Sequence, residues 1–117
     1  GIEFSAYGPD FLRGRIPEDD RGHQRYGILH GGASVAPAET LGSYAAMLAV
    51  DQSKYRCLGQ GINANHIRGV ASGFVIGTAR PVHIGRRSHV WEIRITDERD
   101  KLVCISRLTM AVIDAPT

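Results

Sequence analysis

Apolar residues recur at every second position through most of this chain, and at helical spacing in one stretch only. Ile2 to Tyr7 and Phe11 to Ile16 alternate as two strands joined by a turn at Gly8-Pro9-Asp10. Pro17-Glu18-Asp19-Asp20-Arg21-Gly22 is a polar loop. A helix is predicted from about Gly31 to Val50, followed by a loop over Asp51 to Cys57. Alternation then returns in four further strands, Gly61 to Arg68, Phe74 to Val82, His89 to Thr96 and Leu102 to Ile113. In the third of these, Trp91, Ile93 and Ile95 share one face while Glu92 and Arg94 share the other, the signature of a half-buried antiparallel strand. In the last, Leu102, Cys104, Leu108, Met110 and Val112 share a face, with Ser106 as its polar member. Asp97-Glu98-Arg99-Asp100 is a hairpin connection.

The helix is small-sided: Ala33, Ala36, Ala38, Gly42, Ser43, Ala45, Ala46 and Ala49 occupy much of its circumference. Such a helix is expected to be buried with other backbone close against it. Pro37 lacks the N–H that a helix interior uses, which predicts a late helix start near Ser34 or a slight kink. Two strands, one long helix and four more strands give an α+β fold. One helix cannot cover both faces of such a sheet, so the simplest packing is one curved antiparallel sheet of about six strands wrapped around a central helix.

At 117 residues this is one domain, spanning 1–117. Its 14 Lys and Arg stand against 12 Asp and Glu, so charge gives no case for nucleic acid. Cys57 and Cys104 form neither a zinc pattern nor a CxxC motif, and Cys104 lies in an apolar strand as a buried thiol. No apolar run approaches the ~20 residues of a membrane span. The chain opens at Gly1-Ile2-Glu3-Phe4 already in strand-like alternation, so an N-terminal segment is expected to be missing; cytoplasm is the default location.

The chemistry is concentrated in Gly27-Ile28-Leu29-His30-Gly31-Gly32 and the carboxylate Glu39, with only small or apolar residues between. Free N–H groups where glycines open a helix can hold a developing negative charge, and a lone glutamate in apolar company is a candidate general base. The pairing points to acyl transfer or hydrolysis. Glu39 lies eight residues beyond Gly31, roughly 12 Å along a helix axis at ~1.5 Å per residue. A reacting carbonyl needs both groups within about 3 Å, so two antiparallel helices from two subunits must complete each other's site.

The glycine–histidine motif and this architecture together resemble the hot-dog-fold acyl-CoA thioesterases. The subgroup is the one containing dihydroxynaphthoyl-CoA thioesterases, the enterobactin-pathway proofreading thioesterase and phenylacetate-pathway relatives. The matching segments are Tyr26 to Ser34, Ala38 to Ser43, Ile62-Asn63-Ala64-Asn65-His66-Ile67-Arg68, Pro81 to Arg87 and Val90-Trp91. The resemblance implies hydrolysis of an aryl- or acyl-CoA thioester. Glu39 would be base or nucleophile and the Gly31 N–H the donor to the thioester oxygen, while Gln24 holds the same oxygen and His30 positions thioester or water. Ser43, one helical turn after Glu39, would orient the carboxylate, the water or the nascent acid. It implies nucleotide contacts at His66, Arg68 and Gly69, and at His83, Gly85, Arg86, Arg87 and Ser88. Coenzyme A enters as part of the substrate; no cofactor, metal, membrane or nucleic acid is expected. A homodimer, commonly paired into a tetramer, is implied as well. Two departures from the family are Pro37 and the missing N-terminal helical segment. A β-hydroxyacyl thioester dehydratase or hydratase, and a non-catalytic acyl-CoA-binding module, are the alternatives on the same fold.

Overall fold

The structure, a computed structural model, describes residues 2–8, 10–17, 31–68 and 73–116. The elements are β1 (Glu3–Gly8), β2 (Phe11–Pro17), α1 (Gly31–Leu48), β3 (Tyr55–His66), β4 (Phe74–Ile84), β5 (Ser88–Thr96) and β6 (Leu102–Asp114). The six strands form one antiparallel sheet in the order β1-β2-β4-β5-β6-β3. Its concave face holds α1, which packs against β2, β3, β4, β5 and β6. This is the wrapped-helix architecture expected from the sequence.

The alternating apolar positions become the core. Val75 and Ala79 of β4, Trp91, Ile93 and Ile95 of β5, and Cys104, Leu108, Met110 and Val112 of β6 all face α1 and are buried. Ala38, Leu41, Ala45 and Ala46 meet them from the helix. Burying each large aliphatic side chain contributes about 1.5–3 kcal/mol relative to leaving it in water. The small helix residues permit close approach: a Cβ on Gly42 would lie 2.6 Å from Leu108 Cδ2 and 3.1 Å from Ile93 Cδ1. Burial is one-sided, however. Glu39, Thr40, Tyr44, Met47, Leu48 and Ala49 are exposed, so within one chain the expectation of a buried helix holds for one face only.

Several element boundaries differ from those predicted. β3 begins at Tyr55, six residues before the expected Gly61, because Tyr55 to Gly59 pair with Asp114 to Met110 of β6. β3 buries none of its residues fully, so its alternation is weak, and a bulge between Gly59 and Gly61 interrupts it. Arg68 lies two residues beyond the end of β3 rather than inside the strand. In β6, Val103 is buried and Leu102 only half-buried, because the β5–β6 register slips by one residue between Ile95 and Thr96. α1 starts at Gly31 and runs through Pro37, so the late start near Ser34 does not occur. Pro81 sits inside β4 only where that strand has outrun β2, whose pairing ends at Ala79, so no ladder donor is missing there. Among the described residues, no helix is long and apolar enough to cross a membrane.

Candidate active site

Glu39 stands on the exposed side of α1, about two turns beyond Gly31, the residue that opens the helix. Its carboxylate reaches toward β3: a Cβ on Gly59 would lie 3.9 Å from Glu39 Oε1. Among the described residues β3 is an edge strand, paired with β6 on one side only, and Leu58, Gly59, Gln60 and Gly61 along it are exposed. The carboxylate therefore sits beside a row of backbone donors and acceptors that no described strand pairs with, the kind of edge that takes another strand. Gln24, His30 and Gly69 lie outside the described residues, so neither the expected oxyanion and positioning groups nor that nucleotide contact is placed.

Ser43, four residues after Glu39 and half-buried, opens a cavity of about 540 Å³ between the C-terminal half of α1 and the start of β3. Tyr44, Met47 and Val50 line it from the helix side, and Tyr55 and Cys57 from the strand side. The Cys57 thiol donates to the Ala46 carbonyl at 3.7 Å, and burial raises its pKa, so it is a packing group here. Cys104 is fully buried and its thiol is likewise held up by desolvation. These cavity residues escaped the sequence reading. The signal was present: Tyr44 and Met47, with Leu41 and Leu48, are the large apolar side chains of a helix otherwise rich in small residues.

The residues expected around a nucleotide fall into two groups, and one chain does not bring them together. His66 pairs with Cys104 at one end of β6, whereas Ser88 pairs with Ala111 near the other. Seven residues of strand separate these points, roughly 23 Å at ~3.3 Å per residue. At the first end, Ile67 N–H donates to Val103 O at 2.8 Å, and Arg68 Nη1 lies 3.8 Å from Asp97 Oδ2. At the second, Gly85 N–H donates to Ser88 O at 2.8 Å and closes a turn that projects Arg86 and Arg87. The His83 ring packs against Gly85, where a Cβ would come within 2.5 Å of His83 Nε2. Arg87 is 68% exposed and Arg87 Nη1 lies 3.6 Å from Asp114 Oδ1. Among the described residues, no cluster of three or more His, Cys, Asp or Glu side chains could hold a metal ion.

Comparison with known proteins bears on the family and the fold. The sequence profile of the Thioesterase superfamily matches residues 26–104. A 1,4-dihydroxy-2-naphthoyl-CoA hydrolase of Escherichia coli is 45% identical over 112 residues, covering 96% of this chain and 82% of the relative. A proofreading thioesterase of Cronobacter turicensis is 47% identical over 112 residues, covering 96% and 81%. The crystal structure of a mutant thioesterase from Pseudomonas aeruginosa superposes with a TM-score of 0.94 at 50% identity, covering 97% of this chain and 82% of the other.

Proposed function

We propose that this chain, which belongs to the thioesterase superfamily and is a thioester hydrolase, cleaves acyl-CoA thioesters at a site shared between two copies of itself. The observation that carries the reading is the place of Glu39: a solvent-facing carboxylate on the central helix, directed at the free edge of β3 beside Gly59. A second copy pairing along that edge brings a second α1 alongside, and with it a second Gly31.

The chemistry follows from the groups. The helix N-terminus at Gly31 offers an N–H to the thioester oxygen, where negative charge grows as the carbonyl is attacked. Glycine there leaves no side chain between the amide and the ligand. Glu39 of the other copy takes a proton from water as the water adds, or adds itself to give an anhydride that water then opens. Either route breaks the C–S bond and yields a free acid and the CoA thiol. The thiolate leaves readily, so no strong general acid is required. Gln24 and His30 complete the oxyanion and water contacts in this scheme, and Ser43 orients the Glu39 carboxylate. The acyl group lies toward the cavity between Tyr44, Met47 and Tyr55.

The nucleotide end of CoA meets arginines, whose planar fork suits phosphate. The two candidate groups, His66 with Arg68 and the turn from His83 to Ser88, stand at opposite ends of one sheet. A single CoA that uses both draws them from different copies, which fits a dimer or a pair of dimers.

A thiol-release assay across aryl- and fatty-acyl-CoA esters tests the proposal. Release by the native protein and its loss in Glu39→Gln, by about 10²–10⁴-fold, is the expected result. Undiminished release by Glu39→Gln contradicts it.

A further inference from the structure

His89 is the one buried histidine among the described residues, 1% exposed, and the hydrolysis scheme makes no use of it. It follows the turn from Gly85 to Ser88 and faces inward beside Trp91. The Trp91 Nε1–H donates to His89 Nδ1 at 3.2 Å. An indole N–H can only donate, so this bond exists only while Nδ1 carries no proton. A protonated ring would set one N–H against another inside the core.

Among the described residues, no acidic group lowers the cost of charging His89. Directly across the sheet stand Ile84 of β4 and Met110 of β6, both apolar. Among described side chains, β4 contributes His83, whose positive charge when protonated further opposes a second one on His89. The inward positions of β6 nearby are Met110 and Val112, and the described titratable side chains of α1 are Glu39 and Tyr44. Burial first, and His83 second, accordingly lower the pKa of His89.

The residue also sits at a mechanical junction. Arg87 O accepts from Val112 N–H at 2.9 Å and Ser88 O from Gly85 N–H at 2.8 Å, so the turn is tied to β6 and closed on itself immediately before His89. We infer that the His89–Trp91 pair is an acid-sensitive latch that anchors the start of β5, and with it the turn carrying Arg86 and Arg87, only while His89 is neutral. The sign follows from linkage. The folded state resists protonation more than the unfolded chain, so the latch's contribution is complete above about pH 6.5, the ordinary histidine value, and declines as pH falls below it. This inference stands independently of the thioester chemistry.

The chain contains a single tryptophan, Trp91, so its emission reports the latch directly. Titrating the protein from pH 8 to 4.5 is expected to show one reversible emission change centred below pH 6.5, accompanied by a falling Tm. His89→Gln keeps an acceptor for Trp91 but cannot titrate in this range. It is expected to lose the emission change and flatten the Tm profile across that window. The same transition in His89→Gln overturns the inference. Nitrogen NMR of the unaltered protein at pH 7.5 provides a reading that does not depend on the variant's folding: an unprotonated Nδ1 at His89 is expected, and a protonated one overturns the latch.

Discussion

Glu39 and Gly59 face each other across the gap between helix and sheet edge, with room for little more than a methyl group between the carboxylate and the strand. A Cβ on Gly59 would meet Glu39 Oε1 at 3.9 Å, which is ordinary van der Waals contact. Gly59→Ala is therefore expected to keep near-native turnover. Gly59→Leu fills the space the carboxylate and attacking water need, and is expected to lower kcat by about tenfold or more, since small misplacements at reacting groups cost on that scale. Steady-state kinetics, with gel filtration to show that the oligomer is unchanged, checks the contrast. Equal rates for both variants would remove Glu39 from the reacting centre.

Arg87 separates binding from stability. Its ion pair with Asp114 is formed between side chains 68% and 76% exposed, so it contributes little to folding. Arg87→Ala should leave Tm nearly unchanged while raising KM for CoA esters by about 3- to 10-fold at low salt, an effect that added salt erodes. A KM indifferent to both substitution and salt would take Arg87 out of the phosphate site.

The β5–β6 hairpin gives a pH prediction of the same sign as His89, at lower pH. The Asp97 carboxylate accepts from the Arg99 and Lys101 backbone N–H groups at 2.9 Å each, with Arg68 nearby. Its pKa is lowered, chiefly by the Lys101 bond and also by the Arg99 bond and by the charges of Arg68 and Lys101. A depressed carboxylate stabilises the fold fully above its ordinary value of about 3.9 and loses that contribution as pH falls through the lower native value. Asp97→Asn is thus expected to lower Tm at pH 7, with the difference from native shrinking below about pH 4. A difference that is constant with pH would contradict this account of the hairpin.

The same turn holds Asp100 at a positive φ of 63°. Aspartate tolerates that conformation better than branched residues do. Asp100→Val is expected to cost about 1–2 kcal/mol by denaturant unfolding, while Asp100→Gly stays near native. Equal stability of the two variants would show that the turn relaxes to another geometry.

The strand and helix content was legible because its buried faces alternate cleanly: Trp91, Ile93 and Ile95 in β5 are all at or below 3% exposure. The start of β3 was not. Tyr55 to Gly61 pair along an edge that buries nothing fully, so hydrophobic period carried no signal there. The bulge beside Val103 was equally silent, since two consecutive apolar residues satisfy either register. For the site, the helix and Glu39 were readable from residue type and spacing, but the cavity was not. It is formed by α1 meeting β3, a contact between segments whose proximity follows from topology alone. His89 shows the same limit: a histidine beside a tryptophan two positions away reads as a strand face until burial and the 3.2 Å bond fix its protonation.

The shared site is tested most directly by mixing two variants that are each inactive, Glu39→Gln and His30→Ala, after dissociating and reassembling them together. If Glu39 of one copy serves the glycine–histidine loop of another, each hybrid dimer holds one site with both groups intact. Random pairing should then restore about a quarter of native thioester hydrolysis. If the mixture stays as inactive as its parents although mass spectrometry shows hybrids present, both groups serve a site within one chain, and the account is contradicted.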